Sequence, residues 1–377
     1  MVVKMDPQRR RLSVSQSAEA SPAIGGGDTR IQDLGLGEVL DSAQKEGRRH
    51  VLISSNTDGD LKRRASFHEK DRQVLAPGVN EEAMVQWAKE QGVAWSCRKG
   101  LKPESPNQDS FTVLMVERDF NLFCVYDGHG PIGHDVSDFV RTCLVKLFVQ
   151  SKDRVTDTKK AFETSFGACQ EEVDTRTGMD ASLSGTTVTM AYHDLKADKL
   201  WIAHVGDSRA VLAKKEGTEV ECEDLTVDHK PDLASERARI ESSNPPGRVL
   251  FDGFYNHRVF SKNGMYPGLN MSRAIGDTVG HKEAGLSAVP DVKEIDMADV
   301  RRKNPKAVYT LILCTDGVWE FIDSKEAAEK VTTEKIQEAT EALVKASWDK
   351  WMSDSEGEIS DDITAIVARL PSAALAS

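Results

Sequence analysis

The chain has 377 residues, of which 39% are hydrophobic and 29% are charged, a composition sufficient for one large domain with an extension. Its formal net charge of -12 argues against a general nucleic-acid surface, because binding along a polynucleotide requires an excess of Lys and Arg. The sequence has no apolar run of about 18 or more residues and no apolar leader segment, so neither a membrane span nor secretion is expected.

Residues 1–80 differ in composition from the rest, since they are rich in Ser, Gly, Arg and Asp and show only weak periodicity. We therefore expect a largely flexible N-terminal extension, followed by a folded domain at residues 81–377. Within the extension, two arginines precede both Ser13 and Ser66 by two and three residues. Basophilic kinases recognise this arrangement, so both serines are candidate regulatory phosphosites; the alternative is a solvated tail without this role.

The folded region begins with a helix and continues mainly with strands. Asn80 can cap a helix that runs to Gln91, and a strand-like stretch starts at Val93. Between Val136 and Phe148, apolar residues recur at helical spacing and predict an amphipathic helix. Further strands are predicted at 123–126, 186–192, 200–205, 209–213 and 311–314, and further helices at 323–330, which starts with a capping box, and at 333–352. Runs of strands interrupted by helical pairs predict an α+β fold with antiparallel sheets.

The six cysteines are scattered, show no C-x-x-C spacing and mostly lie in apolar runs. Such cysteines are typical of reduced core thiols in a reducing compartment. We therefore expect a cytoplasmic or nuclear protein, with neither a membrane nor a nucleic acid as partner.

Two Asp-Gly pairs each follow directly on an apolar run. Asp127-Gly128 follows the predicted strand at 123–126, and Asp316-Gly317 follows the one at 311–314. A glycine after the aspartate lets the backbone turn and expose its carbonyl beside the carboxylate. Other carboxylates at predicted strand ends are Asp109, Asp207, Asp361 and Asp362. Packed at one end of a sheet assembly, such groups would repel one another unless cations lay between them.

The ligand type indicates which cations are expected. Carboxylates, a glycine carbonyl and water are hard oxygen donors that suit Mg²⁺ or Mn²⁺, whereas zinc would require clustered His or Cys. Two such ions about 4 Å apart could bridge one water and make a hydroxide that attacks phosphorus in line. No protein nucleophile would then be required.

From Trp95 to Leu370 the chain resembles the metal-dependent protein serine/threonine phosphatases of the PPM, or PP2C, family. Eight ordered motifs carry the resemblance: Asn107-Gln108-Asp109, Asp127-Gly128-His129-Gly130, Ser184-Gly185-Thr186-Thr187, Val205-Gly206-Asp207-Ser208-Arg209, Asp228-His229-Lys230-Pro231, Ser272-Arg273-Ala274-Ile275-Gly276-Asp277, Asp316-Gly317-Val318-Trp319 and Asp361-Asp362-Ile363-Thr364. It implies a four-layer α-β-β-α fold, in which helical pairs flank a central antiparallel β-sandwich. It also implies a signalling enzyme, expected as a monomer, that hydrolyses phosphoserine and phosphothreonine esters of phosphoproteins with a metal-bridged water or hydroxide.

The resemblance further implies which residues bind two Mg²⁺ or Mn²⁺ ions. Asp127 corresponds to the carboxylate that bridges both ions, and the Gly128 carbonyl corresponds to a ligand of the first. Asp316 and Asp361 correspond to ligands of the second ion. Within the aspartate pair that includes Asp362, a swap of the ligand remains open.

Other roles follow from the same resemblance. Asp109 and Asp207 correspond to aspartates of the outer shell or of a third, looser ion. His129 corresponds to a general acid for the departing seryl or threonyl oxygen, a role that suits an imidazolium near neutral pH. His129 and Asp127 are therefore the candidate catalytic residues.

The sequence departs from the family pattern at two places. Gln108 stands where the family often has glutamate, which removes a charge near the metals. The phosphate-binding arginine has no clean equivalent, so Lys102 and Arg98 are the candidates, with Lys99 close by. A lysine would attract phosphate as a point charge without a bidentate fork.

Residues 244–270 are rich in Gly, Pro and Asn and correspond to the family's flap, a mobile segment that helps to select substrates; a plain surface loop is the alternative. Arg273 and Asp277 are expected to pair at its base.

Two other functions compete with the phosphatase. A pseudophosphatase would keep the fold as a binding or scaffold module, but such modules typically lose core metal aspartates, which are present here. A metal-dependent nuclease is disfavoured by the acidic composition and the lack of a basic aromatic groove.

Overall fold

Two antiparallel β-sheets form the centre of the structure, a computed structural model that describes residues 36–57, 66–76, 78–102 and 105–371. The strands are β1 (His50–Ser55), β2 (Arg72–Leu75), β3 (Val93–Arg98), β4 (Asp109–Val116), β5 (Phe120–His129), β6 (Gly185–Thr186), β7 (Val188–Asp194), β8 (Lys199–Val205), β9 (Arg209–Glu216), β10 (Glu219–Asp224), β11 (Arg248–Phe251), β12 (His257–Phe260), β13 (Pro267–Leu269), β14 (Ile275–Gly276), β15 (Asp291–Asp296), β16 (Val308–Cys314) and β17 (Ile363–Arg369). The first sheet has the order β15-β8-β7-β5-β4-β1-β2, with β6 attached to β5 and β14 attached to β6, and the second has the order β10-β9-β16-β17-β3.

Helices cover the outer faces of both sheets. They are α1 (Gly37–Lys45), α2 (Glu81–Glu90), α3 (Gly133–Gln150), α4 (Thr158–Thr175), α5 (Ala234–Glu241), α6 (Thr278–Glu283), α7 (Met297–Lys303), α8 (Asp316–Trp319), α9 (Ser324–Val331) and α10 (Ile336–Asp354). The pair α3 and α4 packs on the first sheet, and α9 and α10 pack on the second. The expected four-layer α-β-β-α order is therefore confirmed. Within the described ranges, no helix combines the length and the apolar character needed to cross a membrane.

The predicted helix starts agree with the structure. The Asn80 side chain accepts a hydrogen bond from the Ala83 amide at 2.9 Å, and the Asp323 side chain accepts one from the Glu326 amide at 2.8 Å. Each cap satisfies an amide that has no partner within its own helix. The predicted helix at 136–148 lies within α3, which is longer at both ends.

Both faces of the central strands are buried, which explains why they read as continuous apolar runs. Along β4, Phe111 and Val113 point between the sheets, whereas Leu114 and Val116 point towards α3 and α4. This alternation is the two-residue period of a strand placed between two apolar layers. Because the sheets are antiparallel, β4 starts where β5 ends, and β17 starts near the end of β16. Four strand termini therefore meet at one edge of the sandwich.

The described part of the N-terminal region differs from the expected flexible extension. Strand β1 pairs with β4 and β2 pairs with β1, so both extend the first sheet. Leu36 and Leu40 are buried in the same core as α3 and α4. Residues 36–57 and 66–76 therefore belong to the folded domain, and the boundary proposed at residue 80 does not separate it from a tail. Ser13 lies outside the described residues.

The segment expected to be a flap contains a small sheet of its own, in the order β11-β12-β13. Val249 and Val259 of this sheet pack against Ile240 and Ala284. Its tip remains exposed, with Phe251 at 53% exposure. The segment is therefore structured and carries a solvent-facing aromatic residue.

Deletion of residues 1–80 will destabilise the domain, because it removes β1 with its buried side chains Val51, Leu52 and Ile53. Each such side chain contributes about 1.5–3 kcal/mol, so we expect the free energy of unfolding in urea to fall by more than about 5 kcal/mol. Deletion of residues 1–35 is the control, because it removes none of the contacts described here. Equal stability of the two truncated proteins would contradict the docking of β1.

Candidate metal centre

Carboxylates from distant parts of the sequence meet at the shared edge of the sandwich. Asp109 and Asp127 lie opposite each other in the register of β4 and β5. Asp316 follows β16 as the first residue of α8, and Asp361 precedes β17. All of them are buried or half-buried. The structure thus brings together residues that the sequence identified separately.

Burial and mutual repulsion act strongly on these groups. The carboxyl groups of Asp127 and Asp316 lie within hydrogen-bonding reach of each other, and desolvation followed by this repulsion raises the pKa of Asp127 well above its usual value. The pKa of Asp316 is raised in the same direction by desolvation and by Asp361. Desolvation and the neighbouring Asp362 raise the pKa of Asp109 to about 7. The cluster therefore disfavours its own full ionisation.

Two lysines compensate only part of this charge. The Lys102 ammonium forms an ion pair with Asp361, and the Lys230 ammonium forms one with Asp207. Six carboxylates belong to the cluster: Asp109, Asp127, Asp207, Asp316, Asp361 and Asp362. The buried Oδ1 atoms of Asp109 and Asp207 have no hydrogen-bond partner among the described residues. Excess buried carboxylates with unused oxygens fit divalent cations with hard oxygen ligands.

The two adjacent aspartates before β17 have different environments. Both carboxylate oxygens of Asp362 accept backbone hydrogen bonds, from the Gly100 amide at 2.7 Å and from the Gln108 amide at 2.9 Å. Asp361 instead faces Lys102 within the cluster. These contacts favour Asp361 as the metal ligand. Asp362 instead joins two loops through its hydrogen bonds to their backbone amides.

His129 is held by an aspartate from a distant segment. Its Nε2 lies 2.6 Å from an Asp277 carboxylate oxygen, and both side chains are buried. The short strand β6 pairs with the end of β5, and β14 pairs with β6, which brings Asp277 to this position. Gly185 is required there, because a Cβ atom would overlap the Asp277 carboxylate. Burial disfavours the imidazolium, but the Asp277 charge outweighs it and raises the pKa of His129.

The expected pairing of Arg273 with Asp277 is wrong. Arg273 binds Glu236 at 2.6 Å and Asp291 at 2.8 Å, while Asp277 binds His129. Although burial opposes it, hydrogen bonds from Arg273 and Arg239 lower the pKa of Glu236 to about 2. Glu236 is therefore the buried anchor of the flap base. No sequence pattern indicates this role, because Glu236 lies in a polar helix far from Arg273 along the chain.

The two basic candidates for phosphate binding are separated by the structure. Arg98 forms an ion pair with Glu69 at 2.7 Å, and its guanidinium covers the Phe67 ring at 5.3 Å. It is therefore occupied outside the cluster, and its proposed role in phosphate binding is not supported. The Lys99 ammonium is buried and donates to the Lys102 carbonyl at 2.9 Å. Lys102 alone of these three directs its charge into the cluster.

A second group of potential ligands lies behind Asp207. His204, His229 and Asp291 have ligand atoms within 4.8 Å of one another. The two imidazole rings are stacked at 4.3 Å with an interplanar angle of 4°. Because the lone pairs of parallel rings do not converge on one point, this group does not suit a zinc ion. His229 instead accepts a hydrogen bond from the Gly206 amide at 3.1 Å and so supports the turn that carries Asp207.

Comparisons with known proteins agree with this geometry. A family model described as Protein phosphatase 2C matches residues 96–354. A probable protein phosphatase 2C 34 from Arabidopsis thaliana is 32% identical over 87% of this chain and 88% of its own length. A probable protein phosphatase 2C 35 from the same organism is 28% identical, covering 72% of this chain and 82% of that protein. The crystal structure of a serine-threonine phosphatase 2C from Toxoplasma gondii has the same fold, with a TM-score of 0.63 at 23% identity, and covers 74% of this chain and 94% of its own.

Gly128→Ala will damage the centre, because a Cβ atom there would overlap the carbonyl oxygens of Gly133 and Gln108. We expect a loss of about 1–3 kcal/mol in the free energy of unfolding. The matched control is Gly167→Ala in the middle of α4, where a Cβ atom meets nothing, and it should stabilise the protein by up to about 1 kcal/mol. Urea unfolding measures both, and a Gly128→Ala protein as stable as wild type would contradict this close packing.

Proposed function

The chain belongs to the protein phosphatase 2C family, and we propose that its phosphatase reaction takes place at the carboxylate cluster at the edge of the sandwich. As a member of this family it is a metal-dependent protein serine/threonine phosphatase, a phosphoric monoester hydrolase that acts on phosphoproteins. The observation that carries the proposal is the convergence of Asp127, Asp316 and Asp361 from three separate strand termini. Since these carboxylates are all present, nothing favours a scaffold without turnover.

Two Mg²⁺ or Mn²⁺ ions are the cofactors that we propose. Asp127, the Gly128 carbonyl, Asp316 and Asp361 would hold them, and the unused oxygens of Asp109 and Asp207 support a third, looser ion. Bound there, the ions supply the Lewis acidity that activates water for attack on phosphorus and offsets charge on the phosphoryl oxygens.

Lys102 is the residue that we propose for binding the substrate phosphate. Its side chain is 21% exposed at the rim of the cluster, so the ammonium can turn from Asp361 towards the cleft. There it attracts phosphoryl oxygens as a point charge, without the fixed orientation that an arginine fork would give.

His129 is the proposed general acid for the leaving group. Because its Nε2 is engaged by Asp277, the proton would be delivered from Nδ1, a buried atom that has no hydrogen-bond partner among the described residues. Asp277 favours the charged form of the imidazole and holds the ring in one orientation. Protonation of the seryl or threonyl oxygen then allows it to depart as an alcohol.

Location and regulation are further parts of the proposal. The six thiols are unpaired, which supports a reducing compartment such as the cytoplasm or the nucleus. A monomer remains the prediction. Ser66 is half-buried, directly before Phe67, whose ring packs on Trp348 at 4.8 Å. A phosphate on Ser66 would add about two negative charges beside a docked segment, which makes this serine the better-placed candidate for a basophilic kinase.

Metal dependence is tested by hydrolysis of a phosphothreonine peptide with Mn²⁺, with EDTA, and by the variants Asp127→Asn and Asp316→Asn. We expect EDTA and each variant to lower kcat by more than about a hundredfold, because ligands of the metals are lost. Asp349→Asn is the control, since this exposed residue lies on α10 away from the cluster. Full activity in EDTA and in both variants would refute the metal centre, whereas metal binding without turnover in the wild type would favour the scaffold.

Phosphorylation is tested with purified protein and a kinase that prefers arginine two and three residues before serine. We expect mass spectrometry to detect phosphate on Ser66, and the Ser66→Ala variant to lose that signal while phosphate on Ser13 remains. Modification of other serines alone would contradict the assignment.

A further inference from the structure

A lysine from the N-terminal region lies buried beneath the turn that carries Asp109. Lys70 is only 2% exposed. Its Nζ donates to the backbone carbonyl of Asn107 at 3.0 Å and to that of Asp109 at 2.5 Å. One ammonium group therefore spans the turn and ties its two ends together.

The segment that delivers Lys70 runs beside the edge of the second sheet. We call residues 66–70 the strap. Backbone hydrogen bonds join the strap to β3 and the residue after it: Phe67 amide to Lys99 carbonyl at 2.8 Å, Lys99 amide to His68 carbonyl at 3.1 Å, and Lys70 amide to Cys97 carbonyl at 2.8 Å. Glu69 adds side-chain contacts to the Cys97 amide at 3.1 Å and to the Ser96 hydroxyl at 3.0 Å. The strap therefore covers the open edge of β3 and fixes the origin of the Lys70 side chain.

Burying a lysine ammonium costs free energy unless it is paired, and the contacts of Lys70 show which groups pair with it. Lysine is rarely fully buried unless its ammonium is paired. The partners of Lys70 are the two carbonyls around Gln108, whose amide binds Asp362 at 2.9 Å. Asp109 in turn accepts a hydrogen bond from the Thr315 hydroxyl at 2.8 Å, next to Asp316. Lys70 thus supports a turn connected to both halves of the cluster.

We propose that Lys70 is a positioning residue of the metal centre, through which the strap, a segment outside the part of the chain that matches the family model, fixes the carboxylate of Asp109. The inference rests on the proposed function, since it assigns Lys70 to the same cluster. It makes the N-terminal region a component of the catalytic domain.

Two effects of Lys70 on metal binding have opposite signs. Its positive charge opposes a nearby cation, whereas its hydrogen bonds hold the turn in the geometry that a cation requires. Lys70 contacts backbone carbonyls and not the carboxylates themselves. The positioning effect should therefore exceed the repulsion, so that loss of Lys70 weakens metal binding.

The test compares full-length wild type with Lys70→Met. The matched control is Lys215→Met, because the Lys215 ammonium also donates to a backbone carbonyl, that of Thr332 at 2.7 Å, far from the cluster. Mn²⁺ affinity is measured by calorimetry without substrate, and kcat and KM are measured with a phosphothreonine peptide at saturating Mn²⁺. We expect Lys70→Met to weaken Mn²⁺ binding about tenfold, as for other groups that orient metal ligands, and to lower kcat. We expect KM to stay within about twofold, and Lys215→Met to leave all three constants unchanged.

Mn²⁺ binding that is unchanged or tighter in Lys70→Met would overturn the proposal. If that variant does not fold, Lys70→Gln, which keeps a shorter donor, is measured in the same way. A lower melting temperature with unchanged Mn²⁺ affinity and kcat would then assign Lys70 to the fold alone. The calorimetric measurement does not require turnover, so a wild type without phosphatase activity would refute the proposed function and leave the test of Lys70 valid.

Discussion

Repulsion among carboxylates at one buried edge of the sandwich is the interaction on which the rest of this structure depends. Desolvation and neighbouring charges raise the pKa of Asp127 and Asp316, so the folded chain maintains an arrangement that these groups disfavour without cations. The opposing force is the strand register, because β4 with β5 and β16 with β17 are fixed along their whole length by backbone pairing. Hydrophobic cores on both faces of each sheet hold these paired strands in place against the repulsion.

The lysine side chains around this edge differ in whether they contact the carboxylates or the backbone. Lys102 and Lys230 contact carboxylates directly, whereas Lys70 contacts only the backbone beneath Asp109. Both carboxylate oxygens of Asp362 are already occupied, because each accepts a hydrogen bond from a backbone amide. Lys102 therefore compensates charge at the partly exposed rim of the cluster, whereas backbone hydrogen bonds and one buried ammonium hold the base of the centre.

The sequence predicted those parts of the molecule that are encoded locally. Asp127 and Asp316 were found because each follows a strand and precedes a glycine, and the four layers follow from strand and helix periods together with the family resemblance. Asp277 was misassigned, since Arg273 lies at a spacing typical of a local pair, whereas its actual partner is distant in sequence. Strand β1 was missed because it is short and lies in a polar region. Lys70 could not be predicted, since only the tertiary contact of the strap with the turn gives it a role.

The position of β3 has a consequence for the order in which the molecule can assemble. This early strand has only one partner in the second sheet, β17, which is nearly the last described element. Asp361 lies two residues before that strand, so the metal centre and the pairing of β3 are completed together. Contacts between residues so far apart in sequence form slowly, because closing the intervening loop costs conformational entropy. During synthesis on the ribosome, the enzyme therefore cannot become competent until β17 has emerged.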